Sequence, residues 1–192
     1  QDAGYTGLKG LAGRSLLVLE HTRATLAVPW LDTMLLEGGL PPATQHFSRV
    51  NQAKKLSGIV LPVFFGQADA CVVTRQGFAV MCELNPQVGK QLVALAVSPR
   101  LLPSVSYVQS QGAGARPHVD LVQEMRRLPE TAAGQQILEL CQADSLGLIP
   151  AAAVDGAQRL LATHARLLAA WERKSGRPKV LAAGATSAAQ AT

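Results

Sequence analysis

Thr74 and Arg75 stand directly behind a short apolar, β-branched run, Ala70–Val73, that reads as a strand. In an open α/β sheet the residues just past a strand's carboxyl end line the ligand crevice. Thr74 is the candidate cleft contact of the two on that positional ground. His21 and Thr22 precede a helical pattern. Thr22 reads as its N-cap, and His21 as a solvated or satisfied histidine without an assigned role. Asp69 reads as structural, bonding the turn ahead of its strand.

Covalent and metal chemistry find no set of residues to use. The chain lacks GxSxG, HExxH, a P-loop and a GxGxxG at a strand–helix turn. His46, His118 and His164 lie far apart in sequence, and Cys71, Cys82 and Cys141 show no CxxC spacing. These cysteines read as buried free thiols, with one bridge among them as the alternative. The expectation is no catalytic residue, no metal and no cofactor.

The charge balance agrees with an anionic partner. The net charge is +5, which steers anions towards the surface. Nucleic acid would need basic residues clustered on one face. Here the longest basic run is two, as in Lys54-Lys55 and Arg126-Arg127. Aromatic residues make up only 4%, too few for base-stacking surfaces. With 48% hydrophobic and 16% charged residues, the 192-residue chain can build a packed core. No stretch has the ~18 uninterrupted apolar residues of a membrane span. The opening Gln1-Asp2-Ala3-Gly4 lacks the charged and apolar regions of a signal peptide. The sequence reads as beginning inside a longer protein.

The elements that must position these residues alternate. Residues 15–20 read as a buried strand behind the Gly10–Gly13 turn, and Thr22–Glu37 as a helix, with Leu26, Trp30, Leu31, Met34 and Leu35 on one face. Pro29 falls inside it, late enough to bend it, and Gly38-Gly39 and Pro41-Pro42 end it. A weak strand is expected at Phe47–Val50, a helix at Ala53–Phe65, a strand at Ala70–Val73, a helix at Gln76–Leu84 and a strand at Leu92–Val97. Such alternation predicts an α/β fold with a mainly parallel sheet flanked by helices. The second half is short of strands. One is expected at Ser104–Gln109, then a Gly/Ala loop at Gln111–Pro117. Helices follow at His118–Arg127, Thr131–Ala143 and Ala151–Trp171, the last with Val154, Leu160, Leu161, Leu167 and Leu168 on one stripe. Residues 182–192 are expected to fray.

Several segments together resemble a known family. Gly7-Leu8-Lys9-Gly10 before the first strand, Gly38-Gly39-Leu40-Pro41 after the first helix, and Gly66-Gln67-Ala68-Asp69-Ala70-Cys71-Val72-Val73 occur in order. Asn85-Pro86, then Leu92–Ser98-Pro99 and Leu102-Pro103, follow. This series is similar to the second lobe of periplasmic phosphate/phosphonate-binding proteins of ABC importers. The likeness covers about residues 7–110 and loosens over 118–170. It implies a two-lobed periplasmic-binding-protein-like fold that closes over ligand by a hinge near Val97–Tyr107, with the first half of lobe one lying outside this chain. On that basis residues 7–103 form lobe two, and 104–175 a return segment with C-terminal helices of lobe one. Residues 176–192 form a frayed tail.

The resemblance also implies a site. Aligned on Pro29, the segment Thr22-Arg23-Ala24-Thr25 falls on the family's hydroxyl-rich anion loop. Thr22 keeps one hydroxyl, Arg23 replaces a second hydroxyl residue, and Thr25 replaces a glycine. The family's next ligand loop falls near Asn51–Lys55. No Ser-His pair is present there, and Asn51, Lys54 and Lys55 are the nearest polar residues. The expected ligand-binding set is therefore Thr22, Arg23, Thr25, Asn51, Lys55 and Thr74. The implied function is a periplasmic solute-binding component that holds a small oxyanion and docks on an ABC-transporter permease, with no nucleic acid and no direct membrane span. The degraded hydroxyl pattern leaves phosphonate, phosphate, sulfonate, nitrate-like and carboxylate ligands open. An alternative is the ligand-sensing domain of a receptor or regulator with the same fold, where ligand closure shifts a signalling equilibrium. A third reading is an enzyme or cofactor-precursor binder on that fold.

Overall fold

The computed structural model describes residues 7–102, 118–141, 143 and 145–176. Three short strands form one parallel sheet: β1 (Ser15–Leu19), β2 (Arg49–Ala53) and β3 (Ala70–Val72), in the order β2-β1-β3. Leu17 of β1 is level with Asn51 of β2 and Cys71 of β3. The most apolar strand takes the centre because it is covered on both faces, and Leu16, Val18 and Leu19 are all buried.

The first connection, β1 to β2, runs through α1 (Ala27–Glu37) and the short α2 (Ala43–His46). The second returns through α3 (Ser57–Phe64) to β3 on the other side of β1. Right-handed crossovers in opposite directions place α1 and α3 on opposite faces of the sheet. On one face Leu31 and Leu35 of α1, four residues apart, pack with Leu16 and Val18 of β1, Ala43 of α2 and Phe47. A second cluster joins Val60 of α3, Met81 of α4 (Arg75–Leu84) and Val88 of α5 (Pro86–Gln91).

Several sequence expectations shift in position. The helix expected over Thr22–Glu37 is a single 3-10 turn, Thr22–Ala24, followed by α1 from Ala27. Pro29 therefore lies in the first turn of α1, where its missing N–H has no partner to lose, and does not bend a helix interior. The helix ends as expected: Gly39 adopts φ +72°, and the amides of Gly39 and Leu40 reach back to Leu36 and Leu35 at 3.1 and 2.8 Å. The second strand runs to Ala53, past the expected Val50, because its ladder with β1 continues that far, so α3 starts at Ser57. Leu92–Val97 is not a strand. It is a loop with Val93, Leu95 and Val97 exposed, an apolar run without a ladder partner among the described residues. The strand and loop expected over 104–117 lie outside the described residues.

The chain divides into two compact units. One takes in the chain up to Pro103 and again from Ala157, and the other spans Ser104–Gly156. Most of α8 (Asp155–Ser175) belongs to the first of these units. Its inward stripe is Ala157, Leu160, His164, Leu167, Leu168 and Trp171, at helical spacing. Leu161, expected on that stripe, sits one position off it and is 45% exposed. His164 Nε2 donates to the Asp32 carboxylate on α1 at 3.2 Å.

In the second unit α6 (His118–Arg127) leads through a 3-10 turn, Leu128–Glu130, into α7 (Ala132–Cys141). Thr131 caps α7 by accepting from the Gly134 amide at 3.1 Å. A Cβ on Gly134 would collide with the Leu128 carbonyl, so the turn and α7 approach at backbone contact.

Candidate functional site

All three strands run the same way, so their carboxyl ends share one edge of the sheet. That edge gathers Glu20 to Thr25 after β1, Lys54 to Leu56 after β2, and Val73 to Arg75 after β3. The loop after β1 leads to α1 on one face. The loop after β3 leads to α4, which packs with α3 on the other. Helices that diverge in this way leave between them the ends of β1 and β3, the position at which open α/β sheets generally hold ligands.

The expected site residues distribute unevenly over this edge. Arg23 lies in the 3-10 turn and is half-buried, and Thr25 follows it and is exposed. The backbone of Thr22 opens the turn. Lys55 is exposed between β2 and α3. Thr74 is half-buried at the tip of β3, where its Oγ1 accepts from the Gly77 amide at 3.1 Å and caps α4. The hydroxyl proton is still available to a ligand, because accepting does not consume it. Gly77 is a close fit: a Cβ there would lie 3.1 Å from Leu56, which brings the starts of α3 and α4 together at this edge.

Asn51 does not join the set as expected. It sits inside β2, two residues before the strand's end, and is exposed. The stretch read as a helix start is strand because its backbone groups pair with β1. His21, to which the sequence assigned no role, caps the 3-10 turn, its Nδ1 accepting from the Arg23 amide at 3.1 Å. The available signal was a polar ring directly ahead of a tight turn.

The edge is electropositive by composition. Arg23, Lys54, Lys55 and Arg75 accompany one acid, Glu20. Among the described residues no group of three or more His, Cys, Asp or Glu side chains could hold a metal ion. No described helix is long and apolar enough to cross a membrane.

Polar residues at the opposite, amino-terminal edge are structural. Asp69 accepts from the Ser15 amide at 2.9 Å and the Ser15 hydroxyl at 2.7 Å, and its own amide donates to the Ser15 oxygen at 3.0 Å. This tie sets β3 against β1. An open surface depression of about 420 Å³ also lies on that side, lined by Lys9, Gly13, Leu40, Gln45, His46 and Phe47. His46 is buried, with Nε2 2.8 Å from the Leu8 carbonyl, so that ring nitrogen is spent on the fold. Cys71 and Cys82 are free thiols. Burial pushes the Cys71 thiol up to about 11, which makes it a poor nucleophile. The chain matches no known protein-family model, and no curated protein shows significant similarity to it.

Proposed function

We propose that this chain binds a small oxyanion at the carboxyl edge of its parallel sheet, as the ligand-holding part of a periplasmic-binding-protein-like solute receptor that feeds an ABC-importer permease. One observation carries the reading. Segments separated by about thirty and twenty residues, Glu20–Thr25, Lys54–Leu56 and Val73–Arg75, meet at one strand edge, with four basic side chains and one acidic one between them. Backbone amides and hydroxyls there supply directional donors, and the cations supply attraction. The ligand-binding set is Arg23, Thr25, Lys55 and Thr74, with the Thr22 backbone. Asn51 falls outside it.

The test is a thermal-shift screen of phosphate, methylphosphonate, methanesulfonate, nitrate and acetate. A ligand that binds only the native state stabilises it by about 2.7 kcal/mol at a hundred times its Kd. At least one tetrahedral oxyanion is expected to raise Tm, with the shift abolished in Arg23→Ala/Lys55→Ala. Stabilisation by none of them, or an undiminished shift in the double variant, refutes the proposal.

A further inference from the structure

We infer that His21 is a proton-sensitive cap on the turn at the tip of the central strand. The residue is extended, with φ −149° and ψ 149°, and its Nδ1 accepts from the Arg23 amide at 3.1 Å. A backbone N–H can only donate, so Nδ1 must offer a lone pair. Neutral imidazole has one such nitrogen, whereas the imidazolium carries a proton on both. Protonation therefore breaks this bond outright. The backbone closure of the Thr22–Ala24 turn, the Ala24 amide to the His21 carbonyl at 2.8 Å, does not depend on the imidazole.

The location gives the device its leverage. The turn joins β1, which is hydrogen-bonded on both sides, to α1. Loosening is thus confined to residues 22–26, between two anchored elements. The charged groups at the surrounding strand ends are Glu20, Arg23, Lys54, Lys55 and Arg75. His46 and His164 belong to the same unit, so a transition of the turn is assigned to His21 by the His21→Asn variant, which removes this imidazole alone. The structural claim stands by itself. Its meaning for ligand capture rests on the oxyanion reading, because the same turn carries Arg23 and leads to Thr25.

The experiment is an NMR pH titration of the ¹⁵N-labelled full chain from pH 8 to 5. The Arg23 amide resonance is expected to move through the imidazole range. Its protection, corrected for intrinsic exchange, is expected to fall about fivefold, the factor that loss of one cap typically gives. His21→Asn keeps a capping oxygen that does not titrate, so its Arg23 amide should stay put. His21→Ala should be unprotected throughout. An Arg23 amide that ignores pH in the unmodified chain, or an equal transition in His21→Asn, overturns the inference. Phosphate added at both pH values separates the two readings. A pH-dependent Arg23 amide without phosphate binding removes phosphate as the ligand of the oxyanion proposal and leaves the cap intact.

Discussion

Replacing Asp32 by alanine tests how α8 is held to the sheet unit. Asp32 is 8% exposed. Its Oδ1 accepts from the Ala43 amide at 2.6 Å and its Oδ2 from His164 Nε2 at 3.2 Å. One carboxylate thus joins α1, α2 and α8. Hydrogen bonds to a charged group contribute about 1.5–3 kcal/mol each, and the stranded Ala43 amide adds a desolvation penalty. The 3.2 Å bond is the longer and sets the lower end of that range. Asp32→Ala should therefore cost about 3–4 kcal/mol, a large share of the 5–15 kcal/mol of a typical domain. His164→Ala removes one of the two bonds and should cost about 1.5–2 kcal/mol. Asp32→Asn keeps an acceptor for Ala43 and should fall between the unmodified chain and Asp32→Ala, which keeps the test usable if the alanine variant does not fold. Urea unfolding followed by far-UV circular dichroism gives the totals. Tryptophan fluorescence gives the local view, because the chain's two tryptophans are Trp30, two residues before Asp32, and Trp171, seven after His164. Trp171 buries its indole N–H without a hydrogen-bond partner among the described residues, so release of α8 should shift its emission red. The reasoning fails if Asp32→Ala changes stability by less than about 0.5 kcal/mol, the usual size of a surface effect. It fails equally if the Asp32→Ala/His164→Ala pair is simply additive, since partners in contact must couple.

Two further perturbations address other parts of the chain. The Cys71 thiol is raised from 9.0 to about 11 by burial, so at pH 8 its thiolate fraction is about a hundredfold below that of an exposed thiol. Alkylation by iodoacetamide, read site by site by mass spectrometry, should be about a hundred times slower at Cys71 in the native chain than in urea, and equal rates would contradict the burial. The sign of the linked stability change follows: the fold favours the neutral thiol, so this contribution is intact below pH 9 and is lost as pH rises from 9 through 11. In the second unit, Ala is the better helix former by up to about 1 kcal/mol, yet Gly134→Ala should destabilise by about 1–3 kcal/mol because its Cβ meets the Leu128 carbonyl. Hydrogen exchange over residues 118–141 checks this, and a stabilised variant would show that the turn has room to move.

The sequence by itself determined the strands at 15–19 and 70–72 and the helices of α1, α3 and α4. Their periodicities differ, with short apolar runs at 15–20 and 70–73, and i, i+4 apolar spacing through Leu31 and Leu35. Gly39 and Pro41 mark the end of α1 because only certain residues accept those backbone angles. Asp69 reads as structural, but its partner is Ser15, 54 residues earlier, and not the local turn that the sequence suggests. Boundaries were not legible, because they depend on partners. Asn51 is a strand residue only because β1 offers a ladder out to Ala53, and Leu92–Val97 is a loop where the pattern alone reads as strand. Only the tertiary structure decided the strand order β2-β1-β3, which puts Glu20–Thr25, Lys54–Leu56 and Val73–Arg75 at one edge. It also decided the attachment of α8 through His164 to Asp32, 132 residues earlier. The reason is physical. Propensity and capping act within a few residues, whereas sheet order and helix docking are set by contacts between segments whose separation leaves no periodic trace in the chain.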